Sequence, residues 1–546
     1  MAVHPALIHR VAFSPSDRAT EVREGATILD AAHQAGEPIA AECGGRGACG
    51  RCVVRILEGR GAGAANALAC LTPVEGPLVV SPLADVRLPK LISRDRDTGA
   101  APLDIWAPWP LELDPIVESA GPADLGVAID IGTTTLRLLL IRLSDGAIVG
   151  EAGAYNPQIS RGADVISRIV AAEKGGLGEL AESVREAVRA MIAEAAGAGG
   201  ADPERIRGYV VAGNVTMVHL LLAADPSGIR RIPSEPRALA FDPVDASALG
   251  WPGAAQAPVY SVPAAGGWVG GDIIAGVVRA GFPRFDEGLS LYVDLGTNGE
   301  IVLGCADFAL ACACSAGPAF EGVGIRCGMR ADRGAVDGAV IDSASGDGPS
   351  GELRLSVVGD ARPRGVCGSG LIALADVFFR AGWIDRGGRL TPRLPARYRA
   401  EGQWGAGVTL SEDGKVALWE RDLDSLIRAK AAVFSGIRAL AGALGPDRQP
   451  IARAIVSGNF GRFLNLPAAI GIGLLPALPL ERYGYVGNGS LEGAALALLS
   501  KRFFREIGEY LARVTYVDLA DLPGYMDEFV AASFLPHTSP ELLELE

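Results

Sequence analysis

The chain has 546 residues, 49% of them hydrophobic and 21% charged, and its 50 Lys and Arg against 64 Asp and Glu give a net charge of −14. That composition supports large apolar cores and excludes a disordered chain, and at about 100–200 residues per domain the length suggests about three to five domains. The acidic balance excludes nucleic acid as the main partner, because phosphate binding needs a basic face.

The N-terminus, MAVHPALIHRVAF, has no basic stretch followed by a long apolar one, so no signal peptide is expected. The longest uncharged run, Phe463 to Leu480, contains Asn465, Pro467, Pro476 and Pro479 and reads as a buried core segment rather than a membrane span. Nine cysteines without a dispersed framework point to the reducing cytoplasm. Glycine numbers 72. Part of that excess suggests tight turns around phosphates or cofactors, and the rest fits a GC-rich genome.

Residues 1–85 read as a small β-rich domain. Strands are expected at Leu7–Phe13, Thr20–Arg23, Cys52–Glu58 and Pro77–Pro82. A helix is expected near Thr27–Ala35, with Ile28, Leu29, Ala32 and Ala35 on one face and Gly36 at its C′ position. The domain carries Cys43, Cys49, Cys52 and Cys70 in the spacing Cys-x5-Cys-x2-Cys-x17-Cys. Three thiolates on a glycine-rich loop with one distant partner is the logic of a plant-type [2Fe–2S] site, where backbone N–H groups close on the sulfurs. Zinc is disfavoured because there is a single CxxC, and a disulfide is disfavoured by compartment. Gly45-x-Gly47-x-x-Gly50 matches a dinucleotide fingerprint, but a cysteine lies inside it and no βαβ unit surrounds it.

Residues 86–124 read as a Pro-rich, semi-rigid linker that tethers the first domain while letting it swing. From Leu125 onward, apolar strand-like runs (GVAIDIG, RGYVVAGN, LSLYVDLG, RAIVSGN) alternate with Ala-rich helical stretches, the pattern of an α/β protein. One such helix spans Gly178–Gly197, with Leu180, Val184, Val188 and Ile192 on one face. Boundaries are expected at 125–206 for a middle domain and 207–546 for a C-terminal one.

A strand–turn–strand motif occurs twice. Val127–Ile131 leads into Gly132-Thr133-Thr134, and Leu291–Leu295 leads into Gly296-Thr297-Asn298-Gly299; the two copies lie 164 residues apart, as 294 − 130 shows for their aspartates. Such a turn directs N–H and hydroxyl groups at phosphate oxygens, and the preceding Asp130 or Asp294 can hold Mg²⁺ through water. Two loops face to face would clamp a triphosphate. No GxxxxGK[ST] P-loop is present. A third stretch, Ile455–Gly461, offers Gly458, Asn459 and Gly461 to an adenosine, although a plain strand-end turn explains it equally well.

These three motifs, in this order, resemble the ASKHA superfamily of acetate and sugar kinases, Hsp70 and actin. With the cysteine loop in front, the whole chain resembles the reductive activators of corrinoid proteins. The likeness includes Asn156-Pro157-Gln158, Gly162–Arg168, Gly213–Met217 with His219-Leu220, Gly317–Gly322, Cys367–Leu371 and Phe534–His537. Asn459 stands where the family's adenosine turn has its second glycine, and Val215 where Thr is common.

The resemblance implies a β-grasp ferredoxin domain joined by a linker to a two-lobed ASKHA core. It implies an ATP-dependent enzyme that passes one electron to an inactive Co(II) corrinoid protein and restores Co(I) for methyl transfer. A ferredoxin-type cluster sits near about −400 mV. Each ~100 mV uphill costs about 2.3 kcal/mol per electron, which ATP would supply. Asp130 and Asp294 would position Mg²⁺ and water, with Glu300 as candidate base. The partners implied are a corrinoid methyl-transfer protein and an upstream electron donor, without membrane or nucleic acid and with room for a homodimer. Two other readings remain open: activation of another metalloenzyme, and a non-catalytic client-binding protein with a decayed ATPase.

Other residues receive structural readings. Cys305, Cys312, Cys314, Cys327 and Cys367 are expected as buried small residues, and His219 as a core residue. Lys430 is expected on a solvated helix face, in preference to an approach to the nucleotide. Gly368-Ser369-Gly370 opens an apolar helix to about Ala381, where either tight packing or an anion at the helix N-terminus is expected. No Ser-His-Asp or GxSxG arrangement supports hydrolase chemistry.

Overall fold

The computed structural model describes residues 7–14, 16–37, 39, 52–62, 66–82, 113–118, 121–162, 164–285, 287–322, 324–342, 351–402, 404–445, 447–458 and 464–544. The first unit contains β1 (Ile8–Phe13), β2 (Ala19–Arg23), α1 (Ile28–Ala35), β3 (Val53–Glu58), β4 (Ala67–Leu68) and β5 (Leu78–Pro82). Its sheet has the order β2-β1-β5-β3-β4, with β1 and β5 parallel and the other neighbours antiparallel. The helix begins at Thr27, whose hydroxyl accepts from the Asp30 N–H while the Asp30 carboxylate accepts from the Thr27 N–H. It stops at Gly36, which takes the left-handed conformation with φ 68°. Ile28, Leu29, Ala31 and Ala32 pack onto Val11, Phe13, Val54 and Val80, which makes the unit a β-grasp domain.

The core is built twice. β6 (Leu125–Ile131), β7 (Thr135–Arg142), β8 (Ile148–Tyr155), α2 (Val165–Ala171), α3 (Leu177–Gly199), β9 (Ile206–Gly213), α4 (Val215–Leu221), β10 (Val244–Asp245) and β11 (Pro258–Ser261) form the first lobe. Its sheet runs β10-β11-β9-β6-β7-β8. After α5 (Gly271–Arg279), the second lobe uses β12 (Leu289–Leu295), β13 (Gly299–Gly304) and β14 (Ala309–Cys314). Two small sheets follow, of β15 (Ala335–Asp342), β16 (Glu352–Val357) and β17 (Gly365–Val366), then, after α6 (Gly368–Arg380), of β18 (Arg399–Gly402), β19 (Gly405–Thr409) and β20 (Ala417–Trp419). The lobe is completed by α7 (Glu420–Ala443), β21 (Ile451–Ser457), α8 (Leu466–Gly471), β22 (Tyr483–Tyr485), α9 (Gly489–Leu499), α10 (Lys501–Leu511), β23 (Val514–Tyr516) and α11 (Tyr525–Ala532). Its main sheet runs β22-β21-β12-β13-β14-β23.

Both large sheets share one logic. A central strand pairs in parallel on one side (β6 with β9, β12 with β21) and opens an antiparallel meander on the other. The side-chain alternation also matches. Leu125, Val127, Ile129 and Ile131 point to the α3 side, while Ala128 points to the middle of the molecule. Leu289, Leu291, Val293 and Leu295 face α6 and α7, while Tyr292 faces the middle. The boundary expected after residue 206 falls at the start of β9, which is hydrogen-bonded along β6, so it cuts this first sheet.

α5 and α9 lie between the two sheets. Their side chains Ile273, Ile274, Val277, Val278, Leu491, Ala494, Ala497 and Leu498 join Val210 and Ala212 of one lobe to Tyr292, Val302 and Ile455 of the other. Each large apolar side chain buried there contributes about 1.5–3 kcal/mol. The helices come closest at glycine, beside an Arg279–Glu492 ion pair at 3.0 Å. A methyl group on Gly493 would stand 2.5 Å from the Ala275 carbonyl oxygen, and one on Gly489 2.7 Å from the Tyr292 hydroxyl.

Residues 113–118, inside the expected linker, are docked rather than free. The Asp114 N–H donates to Leu499 O at 3.1 Å, the Ile116 N–H donates to Leu498 O at 3.0 Å, and Asp114 O accepts from the Lys501 N–H at 2.7 Å. Val117 is buried against β9. Among the described residues, no helix is long and apolar enough to cross a membrane, and the stretch read as a core segment carries α8 with buried Ala468 and Ala469.

Lys430 corrects the sequence reading. It lies on α7 but is fully buried, and its ammonium donates to Phe534 O at 2.9 Å, Pro536 O at 2.6 Å and Gly473 O at 3.4 Å. The reason is tertiary: α11 and the Phe534–His537 turn cover the helix face that the α7 pattern left polar. Burial drives its pKa down to about 7, opposed by Glu528. Because the unfolded lysine stays protonated to about pH 10, the unfolded chain binds more protons between these limits, and the stability contributed by Lys430 rises as pH increases through 7. Lys430→Met is expected to lose about 2–4 kcal/mol, since buried carbonyls are left without a donor. Thermal melts should show the gap between wild type and variant widening between about pH 6.5 and about pH 9.

Candidate functional site

The turn after β6 closes with the Gly132 N–H donating to Thr135 O at 3.0 Å. Three polar side chains brace it from below. Asn156 Nδ2 donates to Gly132 O at 2.9 Å, Arg168 donates to Thr133 O at 2.6 Å, and Asn214 Nδ2 donates to Thr133 Oγ1 at 3.0 Å. Asn156 and Arg168 are fully buried. Burial lowers the Arg168 pKa to about 9, with Asp164 opposing, yet its guanidinium also reaches Gly162 O, Gln158 and the Met217 sulfur. A buried guanidinium is tolerated only when its donors are used in this way. The sequence motifs around Asn156 and Asn214 thus act as a scaffold for the first loop.

The second loop closes with the Gly296 N–H donating to Asn298 O at 3.1 Å. Thr297 Oγ1 donates to Glu321 Oε1 at 2.9 Å, and stands 3.3 Å from Thr134 Oγ1. The two turns therefore face each other across the cleft, as a phosphate clamp requires. Gly458 borders the same space. Its φ of 98° is a left-handed value that favours glycine, and a methyl group there would stand 3.1 Å from Asp294 Oδ1. Asn459 and Gly461 lie outside the described residues.

Four carboxylates surround the loops. Asp130 ends β6; its two oxygens accept from Asn488 Nδ2 at 2.7 Å and Ser490 Oγ at 2.8 Å, and burial still raises its pKa. Asp294 is raised to about 6 by burial and by Asp130, with Ser457 opposing. Glu300, opposite Asp294 in the β12–β13 ladder, is raised well above its usual range by burial and then by Asp272 and Asp294. Asp272, near the N-terminus of α5, is pushed up to about 8 by burial and by Asp130. Crowded, partly buried hard oxygen donors suit a cation. Among the described residues, no three His, Cys, Asp or Glu converge tightly enough to hold a metal ion directly. The donor set therefore fits Mg²⁺ held largely through water and phosphate, the form this ion prefers.

Sequence reasoning missed four members of this site. Asp272 follows Gly270-Gly271 at the head of an apolar helix, and Asn488 and Ser490 lie in Gly487-Asn488-Gly489-Ser490 at the head of another. Glu321 sits in the quoted Gly317–Gly322 motif without an assigned role. The glycine-flanked polar residue before an apolar helix was the available signal. It marks the start of a helix, which Asn488 caps, and only the fold brings these helix starts to the loops.

In the β-grasp domain, Cys52 and Cys70 are both buried with their sulfurs 3.2 Å apart, beyond the ~2.05 Å of a disulfide. Two convergent thiols fit half the ligand set of a [2Fe–2S] cluster; Cys43 and Cys49 lie outside the described residues. The remaining cysteines behave as expected in part. Cys312, Cys314 and Cys367 are buried, with burial raising each thiol, whereas Cys305 and Cys327 are half-buried. His219 is buried, its Nδ1 is 2.7 Å from Val215 O, and its ring meets Phe241 edge-on. At the head of α6, the Gly370 backbone presses against Val336 O, the tight-packing reading.

Asn214 separates two functions within one side chain, because its Oδ1 caps α4 by accepting from the Met217 N–H. Asn214→Asp keeps that cap and removes the donor to Thr133. Calorimetric titration should find ATP bound about tenfold more weakly, with the melting temperature little changed.

Comparison with known proteins agrees with this geometry. A family model described as the C-terminal domain of RACo, the ASKHA domain, matches residues 288–545. The RACo middle region matches residues 125–284, and a 2Fe-2S iron–sulfur cluster binding domain matches residues 11–75. The corrinoid activation enzyme RamQ of Eubacterium limosum is 30% identical over 424 residues, covering 74% of this chain and 69% of that protein. The methylated-amine-specific Co(II) corrinoid protein reductase of Methanosarcina barkeri is 23% identical, covering 71% and 73%. The solved structure of a reductive activator for corrinoid, iron–sulfur protein is 32% identical, with a TM-score of 0.72 over 98% of this chain and 99% of that one. With a β-grasp iron–sulfur domain ahead of two lobes whose phosphate turns meet, the chain belongs to the RACo family of reductive activators of corrinoid proteins.

Proposed function

We propose that this protein is an ATP-hydrolysing iron–sulfur oxidoreductase that returns an inactive Co(II) corrinoid protein to Co(I) by transfer of one electron. The observation that carries the ATP half is the approach of Thr134 and Thr297 to 3.3 Å, which sets two phosphate turns on opposite sides of one cleft. The names of the relatives support the corrinoid half. When bound by Cys43, Cys49, Cys52 and Cys70, a [2Fe–2S] cluster supplies the single electron, near about −400 mV. Cys52 and Cys70 are buried, which limits water at the sulfurs. Each ~100 mV between donor and cobalt costs about 2.3 kcal/mol per electron, so a closing clamp fed by ATP is the source of drive.

The residues divide the ATP chemistry among them. The turns of Gly132, Thr133 and Thr134 and of Gly296, Thr297, Asn298 and Gly299 cradle the phosphates; the Gly132 and Gly296 N–H groups close the turns, and the remaining N–H and hydroxyl groups donate to the phosphates. Asp130 and Asp294 hold the hydrated Mg²⁺. Glu300 is the candidate base for the attacking water, with Asp272 coupled to it by charge. Gly458, with Asn459 and Gly461 next in sequence, leaves room for the adenosine. An upstream donor replaces the electron given away. The cytoplasm suits a chain whose described cysteines form no disulfide.

The test is anaerobic. Reconstituted protein, reductant, MgATP and a Co(II) corrinoid protein are mixed, and the rise of the Co(I) absorbance is followed. The signal should appear only with all components present, and Cys70→Ser should abolish it while leaving ATP binding intact. Asp294→Ala is expected to lower ATP turnover by about 100-fold or more. Full turnover in Asp294→Ala would overturn its assignment. A reconstituted protein without about two irons per chain would overturn the electron-transfer reading.

A further inference from the structure

α9 has unlike attachments at its two ends. At its N-terminus, Asn488 and Ser490 hold both oxygens of Asp130, and Asn488 Oδ1 also accepts from the Leu491 N–H, so one side chain caps the helix and grips the carboxylate together. At its C-terminus, Leu498 O and Leu499 O accept from the Ile116 and Asp114 N–H groups, and Lys501 Nζ lies 3.1 Å from Asp114. The 11 residues of α9 span about 16 Å. In sequence, residues 83–112 join Asp114 to the iron–sulfur domain.

We propose that α9 is a transmission rod that couples the nucleotide site to the linker, with Asn488 and Ser490 as positioning residues at one end and the 113–118 segment as the load at the other. This rests on the ATP site described above. The reasoning is mechanical. Asp130 is the first-loop carboxylate, so nucleotide entering the clamp draws on the same oxygens that Asn488 and Ser490 now use. A change in that grip acts on the helix cap. α9 runs as one unbroken helix between these attachments; it meets α5 closely at Gly493 and is tied to it by the Arg279–Glu492 ion pair at 3.0 Å, so the change travels along the helix. Its far end carries the linker through main-chain bonds, so a shift or rotation of α9 alters those bonds first. The output is a linker segment whose docking depends on the nucleotide, which sets when the iron–sulfur domain is free to approach its client.

Hydrogen exchange on the full-length, cluster-loaded protein tests this without a corrinoid partner. Exchange at the Asp114 and Ile116 amides is compared without nucleotide and with saturating MgATP, with binding checked by calorimetry on the same sample. The expected result is a change of about tenfold in exchange at those amides, lost in the Asn488→Ala/Ser490→Ala double variant at saturating MgATP. A second variant, Ile116→Pro, removes one linker donor. It should leave ATP hydrolysis unchanged while Co(II) reduction loses its ATP dependence. ATP binding with unaltered exchange at Asp114 and Ile116 would overturn the rod and leave the ATP site standing. An exchange change that survives in the double variant would overturn the role of Asn488 and Ser490. Failure to bind ATP at all would overturn the ATP reading and the rod together.

Discussion

The close crossing of α5 and α9 is the constraint on which the other features depend. Two six-stranded sheets share one apolar middle layer because the helices between them come closest at glycine, with packed side chains on either side of that point. Gly489 and Gly493 allow this, one beneath the Tyr292 hydroxyl and the other against the Ala275 carbonyl. Thicker residues would push the lobes apart, and the loops at the ends of β6 and β12 would no longer meet. The apolar layer thus fixes the distance between two polar turns.

That geometry carries an electrostatic cost. Asp130, Asp272, Asp294 and Glu300 arrive together in one cleft, and burial raises each of them. Such crowding persists in a folded protein when something else binds the charge, and a hydrated cation with phosphate suits it. The lobes are not equivalent in this respect. Asp130 lies opposite Arg137 in its ladder and is gripped by α9, whereas Asp294 lies opposite Glu300. The duplicated hairpins therefore differ: one aspartate is anchored to the crossing helix, and the other faces a second carboxylate.

Much of the architecture was legible in the sequence because its signals are local. The helix of the β-grasp unit is written in Thr27, Asp30 and Gly36, and α3 in the four-residue spacing of Leu180, Val184, Val188 and Ile192. The paired turns were legible because each repeats a short strand–Asp–Gly–Thr pattern. The boundary at 206 was not, since β9 looks like the start of something new and only its pairing with β6 assigns it to the first lobe. Lys430 failed for a related reason: a helix pattern reports which residues could face water, and it is silent on what later segments cover.

The sequence by itself determined the cysteine spacing, the two strand–Asp–Gly–Thr turns and the period of the large strands and helices, all set by neighbours in the chain. The tertiary structure alone decided which carboxylates share the cleft, which caps hold them, and where the chain at 113–118 docks. Asn488 lies 358 residues from the Asp130 it grips. No local pattern encodes such a partner, because the energy of that contact exists only after two sheets and two crossing helices have excluded water around it.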